Sequence, residues 1–270
     1  MRIHLPLFIG CILLLACEDV INPELPTSEP LLVIDALLGY HENNGDPITI
    51  GEVRLTLTAP FLVDGTPPAT NAQVSIRDNF TGLLYPLTET EQGVFGTGIP
   101  QLQFGREYTL EVIYNDQVYT ATEELVKTTT IDNLEQGDGF LFNEEEETEV
   151  KVTITDFPGE QNQYLLAFGF GNFLVIEDTF FDGEQLTFSY FYDNINPGRL
   201  LTITIFGADP QFANYAQQVL QQSGEDNGSG GPFTVPATAR GNLANVTNPE
   251  NFALGYFALS EFDTQLLTIQ

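Results

Sequence analysis

Polar and apolar residues alternate with a period of two over most of this chain. Val53, Leu55 and Leu57 interleave with Arg54, Thr56 and Thr58; Val74 and Ile76 with Ser75 and Arg77; Tyr108, Leu110 and Val112 with Thr109 and Glu111. A period of two sends successive side chains to opposite faces, so each segment predicts a half-buried β-strand. Leu31 to Leu38 is an apolar run and predicts a strand buried on both faces. Asn115-Asp116, between two such runs, predicts a tight hairpin, and Asn79 to Gly82 and Glu91 to Gly93 read as turns. After a polar joint from Lys127 to Asp132 the alternation resumes at Val150, Val152 and Ile154 and again at Leu201, Ile203 and Ile205. Tyr164 to Ile176 is long and apolar, with Gly169 and Gly171 marking a bulge or bend. Ala253 to Ser260 predicts a last strand, and Thr264 to Ile269 is a candidate for one more. The expectation is an all-β chain of two β-sandwich-like domains, an N-terminal one over residues 31–127 that is Ig-like or prealbumin-like, and a second over residues 132–270.

One segment changes period. Asp209-Pro210 supplies an N-cap and a proline at the first helical position, and Phe212, Tyr215, Ala216, Val219 and Leu220 recur at the spacing of one helix face. Gly224 stands just past the end. This predicts an amphipathic helix over residues 210–222, its stripe packed on the second sheet or filling a partner's groove. Gly224 to Pro232 is a glycine- and serine-rich loop carrying Glu225 and Asp226, followed directly by Phe233. It has no phosphate-binding lysine and its carboxylates repel phosphate, so nucleotide binding is excluded. Phe180-Phe181, Phe188 to Tyr192, and the late rings Phe233, Phe252, Tyr256 and Phe257 are either core or a docking patch for protein or sugar beside that loop.

The first residues read as an address. Arg2 precedes an apolar stretch from Leu5 to Leu15, too short for a bilayer span of roughly 20 residues, so residues 1–16 read as a signal peptide. The stretch ends in Leu14-Leu15-Ala16-Cys17, which resembles a bacterial lipobox and implies cleavage after Ala16 and lipid attachment at Cys17. Residues 17–30 carry Glu18, Asp19, Glu24 and Glu29 with Pro23, Pro26 and Pro30, an extended acidic tether. Acidic residues directly after the lipidated cysteine resemble the surface-export signal of lipoproteins from Bacteroidota-type bacteria, which implies that Glu18 and Asp19 direct display; a solvated spacer is the alternative.

Charge and composition remove whole classes of function. With 38 acidic against 8 basic residues and a net charge of −30, the chain lacks the clustered cations that bind nucleic acid or anionic lipid. Phe alone contributes 21 residues, so the acidity is not that of a disordered tail. Both cysteines, Cys11 and Cys17, lie in the first 17 residues, so the rest of the chain has no disulfide, thiolate zinc site or cysteine nucleophile. His41 is the one histidine after the signal, read as a solvated loop residue, so neither a Ser-His-Asp triad nor a multi-histidine metal site is available. No catalytic residue is assigned. Paired carboxylates suffice for a glycoside hydrolase, but among so many acidic residues no spacing singles out a pair. Calcium is the ion that oxygen-rich loops suit. Its candidate ligands are Asn43, Asn44 and Asp46; Asp132 and Asp138; Asp178, Asp182 and Glu184; and Glu225, Asp226 and Asn227. None follows the EF-hand spacing, so the metal stays unassigned and no cofactor is expected.

Taken end to end, the chain resembles Bacteroidota-type outer-membrane lipoproteins carrying domain of unknown function 4249. The resemblance rests on Cys17-Glu18-Asp19-Val20-Ile21; on Ala72 to Asp78 with Gly93-Val94-Phe95 and Gly105 to Leu110; and, most specifically, on Gly231-Pro232-Phe233, Gly241-Asn242-Leu243 and Ala253 to Phe257. It implies an outer-membrane location facing the cell exterior and a non-enzymatic role that assists a TonB-dependent transporter or captures its ligand. A surface adhesin or structural envelope protein is the alternative, and a carboxylate-dependent hydrolase a third. An aromatic-lined groove near the helix would favour capture, a flat apolar patch beside the membrane-proximal end a transporter partner, and two carboxylates facing each other in a deep cleft the enzyme.

Overall fold

The computed structural model describes residues 29–43, 45–60, 65–144, 146–223 and 238–270. Among these the first part of the chain forms β1 (Leu32–Asn43), β2 (Asp46–Leu57), β3 (Gln73–Asp78), β4 (Leu84–Pro86), β5 (Thr88–Glu91), β6 (Val94–Thr97), β7 (Glu107–Tyr114) and β8 (Gln117–Glu124). The rest forms β9 (Ile131–Gln136), β10 (Glu147–Thr155), β11 (Gln163–Ala167), β12 (Phe173–Glu177), β13 (Gln185–Asp193), β14 (Leu200–Ala208), helix α1 (Pro210–Ser223), β15 (Ala244–Asn245) and β16 (Leu254–Thr268). Eight strands make one long sheet in the order β12-β11-β14-β16-β1-β2-β6-β5. A five-stranded sheet, β15-β8-β7-β3-β4, and a three-stranded sheet, β13-β10-β9, complete the architecture. Ile34, Leu38 and Leu55 of the long sheet pack with Ile76, Leu110 and Val112 of the five-stranded one in a first core. Leu166, Ile203 and Ile205 pack with Val150, Val152 and Ile154 of the three-stranded one in a second. Among the described residues the fold is all-β, with two sandwiches and one α-helix. Turn chemistry works as the residue types require: Asn115 and Asp116 both adopt positive φ (49° and 60°), as a two-residue hairpin turn demands.

The two sandwiches share the long sheet, and one strand does the sharing. β16 is a single strand of 15 residues, not two. Its first half lies parallel to β1, from Val33 opposite Leu254 to Tyr40 opposite Glu261. Its second half lies antiparallel to β14, from Phe206 opposite Phe262 to Leu200 opposite Thr268. Leu243, Ala253, Phe257 and Leu259 thereby enter the first core. A division into residues 31–127 and 132–270 is thus corrected: the first sandwich is closed by chain from beyond residue 240. The joint is pinned as well. The Thr128 N–H donates to the Glu261 carboxylate (3.0 Å) and the Ile131 N–H to Asp263 (2.8 Å), while Thr128 and Thr129 are buried.

The late motif clasps that shared strand. Gly255 has φ +95°, and a Cβ there would stand 2.1 Å from the Ile34 carbonyl oxygen; a Cβ on Gly241 would stand 1.8 Å from the Gly255 oxygen. Only glycine permits this approach of three backbones. The Asn242 side chain then brackets Phe257 like a strand partner, its Nδ2 donating to the Phe257 carbonyl (2.7 Å) and its Oδ1 accepting from the Phe257 N–H (3.0 Å).

Helix α1 starts where the sequence places it. The Asp209 carboxylate accepts from the N–H groups of Gln211 (2.7 Å) and Phe212 (2.9 Å), satisfying donors the first turn leaves unpaired. Phe212, Ala213 and Ala216 pack on Leu165, Ala208, Tyr256 and Ala258, on the face of the long sheet opposite the two cores.

Candidate ligand cleft

The apolar stretch from Tyr164 to Ile176 folds as a hairpin rather than one bent strand. β11 and β12 pair as far as Ala167 opposite Phe173. The Phe168 N–H donates to the Asn172 carbonyl (2.9 Å) and the Asn172 N–H to that of Gly169 (3.0 Å). At the tip, between two positive-φ glycines, Phe170 has φ +55°. A bulky L-residue in the left-handed region is strained, and this ring is 60% exposed. The core does not reward that strain.

β13 supplies the opposite wall. Its alternation turns Tyr190 and Tyr192 inward, where both are buried. Phe168 stacks on Tyr190 with centroids 4.1 Å apart and an 11° interplanar angle, and the Tyr192 hydroxyl donates to the Phe168 carbonyl (2.6 Å). These contacts fix the hairpin tip against the end of β13. Burial, then the neighbouring Asp193 charge, pushes the Tyr190 phenol up; burial, then Tyr190, does the same to Tyr192. Both rings therefore present neutral hydroxyls. Asp193 ends β13 and Asn194, Asn196 and Arg199 follow on the connection to β14, and with the tip they line a cleft of about 470 Å³. The Arg199 guanidinium lies 5.0 Å above the Phe170 ring and, among the described residues, pairs with no carboxylate.

The cleft has a defined place on the molecule. The Gly198 N–H donates to the Ile269 carbonyl (2.7 Å) and the Ile269 N–H to that of Arg199 (3.0 Å), so it sits at the C-terminal end of β16. Residue 33, where the chain enters β1, sits at the other end beside Leu254. At about 3.3 Å per residue the 15 residues of β16 put roughly 45 Å between the two ends.

A second groove, of about 230 Å³, runs beside α1 between Leu165, Phe173, Tyr215, Val219 and Tyr256. It is apolar, and among the described residues Asp35 is its one charged group.

Carboxylates from two connections, Asp156 after β10 and Asp178 and Asp182 between β12 and β13, meet at the other end of the second sandwich. Ligand oxygens of Asp156, Asp178 and Asp182 lie within 4.8 Å of one another. Asp156 accepts from the Tyr164 hydroxyl (2.5 Å) and the Gly183 N–H (3.0 Å), Asp178 from the Asn162 N–H (2.6 Å), and Asp182 from the Gly159 N–H (2.6 Å). Each clamps a turn, and three carboxylates can hold a cation such as calcium. The trio lines neither groove described above. Asp178 and Asp182 were candidate ligands in the sequence; Glu184 is not part of the trio, and Asp156 was missed. The signal for it was Asp156-Phe157-Pro158-Gly159, a turn directly after β10.

The remaining sequence candidates separate. Cys17, Glu18, Asp19, Phe233, Asn44, Glu225, Asp226 and Asn227 lie outside the described residues. Phe257 is fully buried in the first core and Tyr256 is 4% exposed beneath α1 between Phe212 and Tyr215, so these two are interior packing and not a surface patch. Phe252 lies under the Arg240 guanidinium at 3.8 Å. Asp132 accepts from the Thr155 hydroxyl (2.6 Å). His41 is not a loop residue: it belongs to β1, with its Nδ1 3.0 Å from the Phe262 carbonyl oxygen.

A sequence model of the family described as "Domain of unknown function (DUF4249)" matches residues 18–265. The chain belongs to the DUF4249 family. The match spans both sandwiches, so the cleft, the groove and the clasp around Gly255 all lie within the DUF4249 region. No curated protein matches the chain significantly. Among solved structures, a segment of two fibronectin type-III domains from chicken tenascin is 13% identical, with 67% of this chain and 92% of that chain covered and a TM-score of 0.22. The FN1–FN3 domains of chicken CNTN1 are 11% identical, with 68% and 62% covered and a TM-score of 0.25. Likenesses at this level carry no argument about what a DUF4249 protein does.

Proposed function

We propose that this DUF4249 protein is a non-enzymatic outer-membrane lipoprotein, anchored through Cys17, displayed on the cell exterior, and dedicated to capturing a small ligand for a TonB-dependent transporter. The observation that carries the reading is the cleft around Phe170 and Arg199, at the end of β16 remote from residue 33. A chain tethered through residues 17–30 to a membrane holds that cleft outward, toward incoming solutes. The lipobox-like Leu14 to Cys17 and the acidic Glu18-Asp19 support the anchor and the display. The test is recovery of the lipidated protein in mild detergent, with mass spectrometry of what accompanies it. An outer-membrane transporter enriched over a Cys17→Ala control is the expected result; equal background in both samples counts against the partnership.

A further inference from the structure

We infer that the cleft binds a neutral saccharide, with one pyranose ring lying against Phe170 and its hydroxyls held by Asn172, Asn194, Asn196, Asp193 and Arg199. The assignment rests on the capture reading above and names its ligand class. Charge narrows the choice first. Among the described residues the cleft holds one guanidinium and one carboxylate, and it belongs to a chain of net charge −30. A phosphate or polycarboxylate would approach against that field and find a single cation. A cationic ligand would meet a single carboxylate with Arg199 beside it.

The polar groups narrow it further. Three amides, a carboxylate and a guanidinium are all planar, and each offers two atoms side by side to a ligand. Adjacent hydroxyls on a sugar ring, each both donor and acceptor, match such pairs. A hydrocarbon ligand would strand these groups without partners; the apolar groove beside α1 is the surface that suits one.

The aromatic geometry separates a sugar from a nucleobase. A base is held most fully when slotted between two parallel rings. The parallel pair here, Phe168 and Tyr190, is closed on itself at 4.1 Å. Phe170 offers a single surface instead, with the guanidinium over its ring and most of its area open. One aromatic face is what the C–H face of a pyranose requires. Holding that ring outward at φ +55° costs stability that a ligand contact explains.

The test is native affinity electrophoresis of the full exported chain, made soluble by Cys17→Ala, through gels containing starch, dextran, laminarin, xylan, mannan or galactomannan. Phe170→Gly removes the ring and suits the left-handed backbone; Arg199→Ala removes the guanidinium. The expected result is retardation by at least one polysaccharide, weakened tenfold or more in both variants, with thermal melts showing both still folded. Retardation by none of the six, or equal retardation of folded variants, overturns the saccharide assignment. A parallel arm passes tryptic peptides of casein over the immobilised chain. Peptide capture that depends on Phe170, without polysaccharide binding, overturns the sugar and leaves the capture reading standing. Binding in neither arm removes both.

Discussion

Replacing Phe170 by alanine and by glycine separates what its ring does for binding from what its backbone costs. Both variants lose the ring. With 60% of the residue exposed, about two fifths of a side chain of roughly 200 Å² is buried, and at about 25 cal/mol per Å² that loss is about 2 kcal/mol. The backbone term differs between them. Alanine keeps the φ +55° penalty, about 1–2 kcal/mol for an L-residue, while glycine relieves it and gives back about 0.5–1 kcal/mol as added freedom of the unfolded chain. Phe170→Gly is therefore expected to be destabilised by about 1–1.5 kcal/mol and Phe170→Ala by about 2 kcal/mol. Urea denaturation followed by tyrosine fluorescence measures both; the chain has no tryptophan. Ligand binding should fall equally in the two. If alanine is as stable as glycine or more so, the strain at the hairpin tip is not real, and the argument that a ligand accounts for it goes with it.

Three further outcomes follow from other parts of the fold. Burial foremost, and the Asp209 charge behind it, push the Glu123 carboxyl up to about 7, against an opposing hydrogen bond from Asn242. The folded state then holds the proton more tightly than the unfolded one, so this contribution is complete below pH 4.5 and is lost as pH rises to about 7. Because the group is half-exposed, screening reduces the effect to about 1–2 kcal/mol. Glu123→Gln should match wild type near pH 4 and exceed it by that amount at pH 8 in urea titrations; a pH-independent difference would contradict the assignment. A fragment of residues 18–128 lacks β15 and β16, leaving one edge of β1 unpaired and the first core without Leu243, Phe257 and Leu259. Its circular dichroism should show no cooperative melt, and a sharp transition would mean that the shared strand is dispensable. Phe257→Ala, at a fully buried position, should cost about 3–5 kcal/mol; a loss under 1 kcal/mol by urea denaturation would show that the site collapses without it.

Legibility followed exposure. Where one face of a strand meets water, as in β2, β3, β7 and β14, alternation marks it in the sequence. β9 did not show, because of its six residues only Ile131 is buried and the rest look like a linker. β16 looked like two strands because Glu261 and Asp263 interrupt its apolar run. Both are polar for a reason that lies 133 and 132 residues away, the amides of Thr128 and Ile131. The helix was legible because its cap, its proline and its stripe are local signals. In the cleft, the glycines around Phe170 and the rings of β13 were visible, but the pairing of Ala167 with Phe173 and the stacking of Phe168 on Tyr190, which bring them together, were not. Gly241, Asn242 and Gly255 belong to the late stretch on which the resemblance to DUF4249 rests most specifically, and the structure gives them a packing role around β16.

The claim of an outward-facing cleft is tested most directly by placing one cysteine in it. Asn196→Cys in the otherwise native chain adds a thiol at an exposed cleft position, and lipidation at Cys17 leaves it as the single free thiol of the exported protein. Intact cells are treated with a membrane-impermeant maleimide. The account predicts labelling without lysis, blocked when Glu18 and Asp19 are both replaced by alanine. Labelling that appears only after lysis would contradict it.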